Sequence, residues 1–285
     1  MPGKRILIIV ENLPVPPDRR VWQECLALRG AGYDVSVICP KGRGYDRGFE
    51  IIEGVYIYRH SLPLDASGVA GFILEYTAAL LFQTVLAWRI FLTRGFDAIQ
   101  ACNPPDMIWI VAWPFRVFFR RKFVFDHHDP FAELFAVKFP KRALIHKLTL
   151  LFERLSIRSA DMVITTSEAL KKIAVERAGQ PASNVHLVRS GPDLAKMRRV
   201  APDPALRRGA GKVVVYIGIM GSQDGVDILL SAAHEAIHRR GRGDLRFLLV
   251  GDGPEYDKLK ALARELKVDD RVTFTGFLRG DKLLA

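Results

Sequence analysis

The chain has 285 residues, of which 49% are hydrophobic, so it contains enough apolar side chains for more than one core. Its three cysteines, Cys25, Cys39 and Cys102, lack metal-ligand spacing, which excludes a disulfide framework and indicates a reduced, cytoplasmic protein. No signal peptide is predicted, because the apolar run at 6–10 is too short and leads directly into a turn.

The positive charge is confined to one part of the chain. Residues 213–285 contain 11 basic and 11 acidic residues, so the entire net charge of +11 lies in the first 212 residues. A basic surface attracts nucleic acid, anionic lipid or a phosphorylated substrate. Nucleic acid is not favoured, because no groove-reading or base-stacking motif accompanies the charge.

The same opening pattern occurs twice in the chain. A β-branched run at 5–10 leads through a loop to a helical pattern from Arg19, and a second run at 212–217 leads to one from Val226. This is how a doubly wound α/β domain begins. We therefore predict two Rossmann-like domains facing each other across a cleft. Their expected bounds are 1–200 and 212–285, joined by a linker at 201–211.

In the first domain the pattern predicts alternating strands and helices. We expect strands at 34–39, 97–101, 122–126, 161–165 and 185–188, a hairpin or broken strand at 50–59, and helices at 19–31, 69–93, 106–119 and 141–159. Residues 165–172 are typical of an N-cap and helix start. Helix 69–93 is long enough to span a bilayer, but Glu75, Gln83 and Arg89 interrupt it and favour a buried or interfacial helix.

The second domain is predicted to be incomplete. We expect strands at 213–217, 245–250 and 271–275 and helices at 226–240 and 255–267, with a further helix starting near the last residue. A doubly wound nucleotide-binding domain usually has about five or six strands.

An aromatic and basic segment follows the third strand of the first domain. Residues 107–123 combine apolar rings with Arg116, Arg120, Arg121 and Lys122, and a second basic group contains Lys138, Lys141, Arg142 and Lys147. Such a surface suits an interfacial anchor on anionic lipid. The alternative is a core helix with a solvated basic end.

Two glycine-containing loops of the second domain are candidate ligand sites, because ligands bind at the carboxyl ends of parallel strands. Gly218, Gly221 and Gly225 precede a helix, where backbone amides can approach a phosphate. The alternative is a tight strand-to-helix turn. The loop 251–253 permits the same two interpretations, with Asp252 either capping the next helix or contacting a ligand.

The sharpest polar cluster is His127, His128 and Asp129, directly after the strand that ends at Asp126. A histidine in this position can serve as acid, base or hydrogen-bond donor near neutral pH. A metal site is not favoured, because adjacent residues rarely ligate one ion together.

In chain order, the motifs resemble those of the family-four glycosyltransferases of GT-B fold. The motifs are ENLPVPPDRR, CNPPD, VFDHHDP, ADMVITTSE, LVRSGPD, YIGIMGSQDGVD, VGDGPE and VTFTGF, and they cover essentially the whole chain. The resemblance implies that the first domain binds the acceptor and the second a nucleotide-activated sugar. It also implies transfer with retention of configuration, without a metal or other cofactor.

The resemblance assigns roles to individual residues. His128 matches the histidine beside the transferred sugar, and Asp129 follows it. The donor-binding set is Gly218, Gly221, Ser222, Gln223 and Gly225 under the diphosphate, Gly251, Asp252 and Gly253 near the base, and Arg189, with Ser190 and Gly191, leading into the cleft. The acceptor-side set is Asn12, Asp18, Arg19, Asn103 and Asp106.

The chain departs from the family pattern in three places. Asp18-Arg19-Arg20 replaces the usual diglycine of the first loop, and Ile219 and Asp224 replace the usual Arg and Lys of the donor loop. Two glutamates seven residues apart, which hold the donor in the family, would lie beyond Ala285. From this sequence we expect a truncated form with a half-built donor site and no activity alone.

Together these patterns predict a cytoplasmic glycosyltransferase that is peripheral on the inner face of the cytoplasmic membrane. It would transfer a sugar from a UDP or GDP donor to a lipid-linked or saccharide acceptor, in polysaccharide or lipopolysaccharide assembly. The competing hypothesis is a non-catalytic remnant that binds a membrane or a partner chain. A dinucleotide oxidoreductase is not favoured, because neither opening strand is followed by G-x-G-x-x-G.

Overall fold

The computed structural model describes residues 4–42, 44–62, 68–138, 142–191, 197–201, 204–207, 209–278 and 280–284. The chain divides into two compact units, residues 1–191 (unit 1) and 192–285 (unit 2). By this division the predicted linker, 201–211, falls in unit 2. Its residues 202–203 and 208 lie outside the described residues. Lys141, from the second predicted basic group, also lies outside them.

The described part of unit 1 has one sheet of eight strands, with the order β3-β4-β2-β1-β5-β6-β7-β8. The strands are β1 (Arg5–Ile9), β2 (Asp34–Pro40), β3 (Phe49–Ile52), β4 (Val55–His60), β5 (Ala98–Cys102), β6 (Lys122–His127), β7 (Met162–Thr165) and β8 (Val185–Leu187). All neighbours are parallel except β3 and β4, which form an antiparallel hairpin and confirm the prediction for 50–59.

The helices of unit 1 lie close to the predicted ranges. They are α1 (Arg19–Gly30), α2 (Gly68–Thr93), α3 (Trp109–Phe119), α4 (Phe131–Lys138), α5 (Ala143–Ser159) and α6 (Glu168–Lys172), the last continuing as a π-helical turn, Ile173–Arg177. Helix α4 was not predicted. Helix α3 begins three residues later than expected, because 106–108 form a turn in which Ile108 N donates to Pro105 O. The predicted N-cap is confirmed, since Ser167 accepts a hydrogen bond from Leu170 N.

The central strand β1 separates two cores because its side chains alternate between the sheet faces. Leu7 and Ile9 pack in the core that contains residues of α2, α3 and α5. Ile6 and Ile8 pack in the core beneath α1. Strand β1 pairs with β2 on one side and with β5 on the other. The carboxyl ends of β1 and β5 therefore form the topological switch point where ligands bind in such sheets.

Unit 2 contains a parallel sheet with the order β11-β10-β9 in its described part. The strands are β9 (Lys212–Ile217), β10 (Leu245–Val250) and β11 (Val272–Gly276), and the helices are α7 (Pro204–Arg207), α8 (Val226–His234), α9 (Tyr256–Glu265) and α10 (Asp281–Leu284). Helix α8 is shorter than predicted because a π-helical turn, Glu235–Arg239, follows it. Met220, Leu230, Leu249 and Leu259 form part of a separate core.

Candidate active site

Asn103 connects the loops that follow β5 and β6 at the switch point. Its Oδ1 accepts hydrogen bonds from the backbone N–H groups of His128 (2.9 Å) and Asp129 (3.2 Å). Its Nδ2 donates to Asp129 O (2.7 Å) and Asp106 Oδ1 (3.1 Å). Two motifs that are separate in the sequence, CNPPD and VFDHHDP, are thereby brought together by one buried amide. Burial also raises the pKa of Asp106 to about 7.

The two adjacent histidines have different environments. The His128 ring lies between two carboxylates, with Nδ1 3.9 Å from Asp126 Oδ2 and Nε2 3.8 Å from Asp129 Oδ2, and its side chain is 18% exposed. His127 is fully buried, and its Nε2 lies 3.2 Å from Glu153 Oε1. His128 can therefore meet a ligand, whereas His127 belongs to the interior.

Arg20 is the site residue that sequence reasoning missed. Its Nε and Nη2 donate to the two carboxylate oxygens of Asp126, at 3.2 Å and 2.6 Å, and its Nη1 donates to Ser190 Oγ at 2.8 Å. Asp126 is fully buried, and a buried carboxylate requires a partner cation. Such a carboxylate at the end of a strand was the signal that could have identified Arg20. Arg20 also links the His128 segment to the loop after β8.

The remaining acceptor-side residues and Arg189 lie around this centre. Asp18 is the N-cap of α1, where its Oδ1 accepts a hydrogen bond from Val21 N at 3.1 Å, and burial raises its pKa. Asn12 and Arg19 are exposed at the same edge of the sheet. Arg189 is exposed in unit 1 beside Ser190. No cluster of metal-ligating side chains occurs among the residues that the structure describes.

In unit 2 the two glycine loops pack against each other through their backbones. Met220 N donates to Asp252 O and Glu255 N donates to Met220 O, both at 3.0 Å. A Cβ atom at Gly251, which has φ +135°, would lie 1.8 Å from Gly218 O, and one at Gly253 would lie 2.6 Å from Met220 O. Glycine is therefore required at 251 and 253 by close packing alone.

The loop before α8 is closed by one of its own carboxylates. Gly221 N donates to Asp224 Oδ2 at 2.8 Å, and Asp224 N donates to Gly221 O at 3.2 Å. Gly225 has φ +68° and occupies the N-cap position of α8 without a side-chain cap. The side chains of Ser222 and Gln223 are exposed. The amides and helix end suit an anion, but Asp224 already occupies one of the amides.

Asp252 does not cap the next helix, contrary to one of the two interpretations. The N-cap position of α9 is Glu255, and Asp252 Oδ1 instead accepts a hydrogen bond from Gly253 N at 2.8 Å. Its exposed side chain stabilises the loop locally.

Comparison with known proteins decides the family. A family model described as Glycosyltransferase Family 4 matches residues 18–196, and one described as Glycosyl transferases group 1 matches residues 211–285. The chain belongs to glycosyltransferase family 4. It is a glycosyltransferase by resemblance, which confirms the interpretation of the motif order.

Individual relatives match only part of the chain. An alpha-D-kanosaminyltransferase of Streptomyces kanamyceticus is 31% identical over 135 residues, which cover 44% of this chain and 34% of that enzyme. A GDP-mannose-dependent alpha-(1-6)-phosphatidylinositol monomannoside mannosyltransferase of Mycobacterium tuberculosis is 31% identical over 131 residues, covering 43% and 33%. The matched segments thus span about a third of the length of these curated relatives.

The fold is the GT-B glycosyltransferase fold, as predicted. The structure of sucrose-phosphate synthase from Thermosynechococcus elongatus matches with a TM-score of 0.74 at 20% identity, covering 99% of this chain and 72% of that one. At this identity the match establishes the fold alone.

Proposed function

We propose that this family member transfers a hexose-type sugar from a UDP or GDP donor to a lipid-linked or saccharide acceptor in cell-surface polysaccharide or lipopolysaccharide assembly. The observation that carries the proposal is the half-buried His128 ring held between Asp126 and Asp129 at the switch point of unit 1. The name of the mycobacterial relative, which specifies GDP-mannose and a phosphatidylinositol monomannoside, supports this donor and acceptor chemistry.

In the proposed reaction, the bond between the anomeric carbon and the diphosphate breaks and an acceptor oxygen bonds to that carbon with retention. The nucleotide diphosphate departs and takes up the proton that the acceptor hydroxyl releases. His128 contacts a hydroxyl of the transferred sugar and is held in place by the Arg20–Asp126 ion pair. Loops 218–225 and 251–253 hold the donor. No metal or cofactor is invoked, because amides at a helix N-terminus stabilise a departing diphosphate.

Unit 1 also carries a surface suited to a membrane. Helix α5 exposes four leucines along one stripe, while Thr149, Glu153 and Ser156 are buried beside Ile157, so apolar side chains occupy much of its exposed face. The leucines are Leu144, Leu148, Leu151 and Leu155, and we call this stripe the leucine face. Large exposed apolar side chains also occur on α2, α3 and α4, including Leu81, Val85, Trp113, Phe118 and Val137.

The charge beside the leucine face selects an anionic membrane as its partner. Lys147, Arg154 and Arg158 are exposed on the same helix, each three residues after one of the leucines. In the predicted basic segment after β5, by contrast, Arg116 and Lys122 pair with Asp161, and Arg121 pairs with Asp97. We therefore assign peripheral binding to α5, on the inner face of the cytoplasmic membrane.

Helix α2 fits this peripheral arrangement. Its segment Ile73–Thr93 is long and apolar enough to cross a membrane by length and composition, with a mean hydropathy of 1.3. Ala79, Gln83, Ala87 and Ile90 are nevertheless buried in unit 1. Only 22% of the segment is buried, so α2 packs on the sheet through one narrow face and leaves most of its apolar surface available for peripheral contact with a membrane.

The donor proposal is tested by titrating UDP, GDP and ADP into the purified chain by calorimetry, with uridine as the control that lacks phosphate. Hydrogen exchange then locates the bound nucleotide. We expect selective binding of one diphosphate, with slower exchange at the amides of 218–225 and 251–253. Binding without protection of these loops would contradict their assignment.

The membrane proposal is tested by flotation with vesicles that contain or lack anionic lipid. Leu151→Glu and Leu155→Glu should lower the fraction that floats, and salt should lower it for the unchanged chain. Ile228→Glu, at an exposed apolar residue of α8 in unit 2, is the matched control and should float normally. Equal flotation of all variants would exclude the leucine face.

The non-catalytic hypothesis has one observation in its favour, the contact of Asp224 with the Gly221 amide that a phosphate would need. A folded chain that floats with vesicles but binds no nucleotide diphosphate would favour this hypothesis over an enzyme.

A further inference from the structure

Unit 1 contains an apolar cavity of about 280 Å³ between α2, α4 and α5. Side chains of these helices form much of its wall, among them Ile73, Phe131, Phe135, Ile145, Leu148 and Phe152. Ligand sites in proteins are concave and lined mostly by hydrophobic and aromatic side chains, as this one is. Its apolar wall favours an apolar occupant.

The outer end of the cavity opens on the leucine face. Leu148 lines the cavity and is also 41% exposed as a member of that face. Ile73, on α2, lines the cavity and is 56% exposed. An apolar chain can therefore pass from a membrane into the cavity without crossing a polar surface.

The inner end of the cavity adjoins the candidate active site. Asp106 lines the cavity and is 2% exposed. Its Oδ1 accepts a hydrogen bond from Asn103, but no described residue donates to its buried Oδ2. Asn103 also holds the backbone of His128 and Asp129. A buried acceptor oxygen without a donor indicates a polar group of a ligand at this end.

We propose that this cavity binds the aliphatic chain of a lipid-linked saccharide acceptor. The chain enters between Ile73 and Leu148, and a hydroxyl at its polar end donates to Asp106 Oδ2, close to His128. The inference rests on the proposed function and deepens it, because it selects a lipid-linked acceptor over a free saccharide.

Binding of n-alkyl glucosides below their micelle concentrations tests the proposal directly. We expect affinity to rise about fourfold for each added methylene until the cavity is filled, because each buried methylene contributes a similar free energy. Geranyl glucoside distinguishes an isoprenoid from a saturated chain, and glucose is the control without a chain. Affinity that does not depend on chain length would overturn the proposal.

Cavity-filling variants separate the cavity from adsorption to the leucine face. Ile145→Trp fills the cavity and should weaken octyl glucoside binding by about tenfold or more, since the indole occupies the place of the chain. Leu144→Trp, at the adjacent exposed leucine, is the matched control and should bind normally. Thr77→Trp, at an exposed position of the cavity wall, gives a second filled variant if Ile145→Trp does not fold. Equal binding by all three would assign the affinity to the leucine face and overturn the proposal.

These measurements use neither a nucleotide sugar nor sugar transfer, so the two proposals fail separately. A chain that binds alkyl glucosides through the cavity but binds no nucleotide diphosphate keeps the cavity and loses the donor assignment. A chain that binds UDP or GDP but shows no cavity-dependent chain binding keeps the proposed function and loses the lipid acceptor.

Discussion

The candidate site of unit 1 is held together by contacts between side chains, whereas that of unit 2 is held together by contacts between backbone groups. In unit 1 the chemistry lies in buried or half-buried side chains that contact each other, as in the Arg20–Asp126 pair and the Asn103 hydrogen bonds. In unit 2 the loops 218–221 and 251–255 are joined by backbone groups, and polar side chains such as Gln223 and Asp252 are exposed. Substitutions should therefore act through lost charge pairing in unit 1 and through backbone geometry in unit 2.

The largest effect is expected from Arg20→Ala. Removal of the guanidinium leaves the buried Asp126 carboxylate without its cation, which should lower the free energy of unfolding of unit 1 by about 3–5 kcal/mol. Urea unfolding followed by tryptophan fluorescence measures this, because all four tryptophans lie in unit 1.

Arg19→Ala is the matched control for Arg20→Ala. Arg19 is the exposed neighbour on the first turn of α1, so its loss should change the free energy of unfolding by less than about 0.5 kcal/mol. Asp126→Asn combined with Arg20→Ala should cost less than the sum of the two single changes, since the buried charge is absent. A loss as small for Arg20 as for Arg19 would show that unit 1 does not depend on this pair.

Gly251→Ala tests the backbone packing of unit 2. Its Cβ would meet Gly218 O at 1.8 Å from a backbone with φ +135°, so we expect a loss of about 2–4 kcal/mol. Hydrogen exchange of the β9 and β10 amides should become faster by a corresponding factor. Gly243→Ala, where no atom lies within 4 Å of the added Cβ, is the control, and equal exchange in both variants would contradict the packing argument.

The sequence predicted the elements of this fold well because most of their signals are local. The alternation of β1, the N-cap at Ser167 and the hairpin at 50–59 depend on residues close together in the chain. Helix α4 is absent from the prediction, and its eight residues follow directly after the polar HHDP segment.

The contacts within the site depend on distant residues and were not predictable in the same way. Arg20 and Asp126 are 106 positions apart, and Asn103 contacts Asp129 across 26 positions. The cavity likewise depends on how α2, α4 and α5 pack together, which becomes evident only when the neighbours of each helix are known. The spacing of the leucines on α5 can be seen in the sequence, but whether they face the core or the solvent cannot.

Glu11→Gln tests a further consequence of burying charge in unit 1. Burial, together with the charge of Glu75 and against a hydrogen bond from Gln83, raises the pKa of Glu11 from 4.5 to about 8. Between these pH values the unfolded chain loses the proton that the folded chain keeps, so stability falls as pH rises. We expect the variant to match the unchanged chain near pH 4 and to be about 4 kcal/mol more stable at pH 8.

The control for Glu11→Gln is Glu168→Gln, at an exposed position of α6, which should follow the unchanged chain at both pH values. Denaturant unfolding followed by tryptophan fluorescence again reports unit 1. A Glu11→Gln variant that is less stable than the unchanged chain at pH 8 would have the wrong sign and would show that the carboxyl is ionised in the folded protein.

The smallest expected effect is that of Asp224→Asn in unit 2. The carboxylate at the Gly221 amide repels a diphosphate, and an asparagine Oδ1 can keep the hydrogen bond without the charge. Removing one like charge at an exposed site is worth about 1 kcal/mol, so the dissociation constant for UDP or GDP should fall about fivefold. Because salt screens exposed charges, the gain in affinity should shrink at high ionic strength.

Calorimetry of this variant beside Asp227→Asn, an exposed acid in the first turn of α8, separates the effect of the Gly221 contact from that of general charge. An equal gain for both variants would mean that net charge near the helix end, and not the occupied amide, limits donor binding.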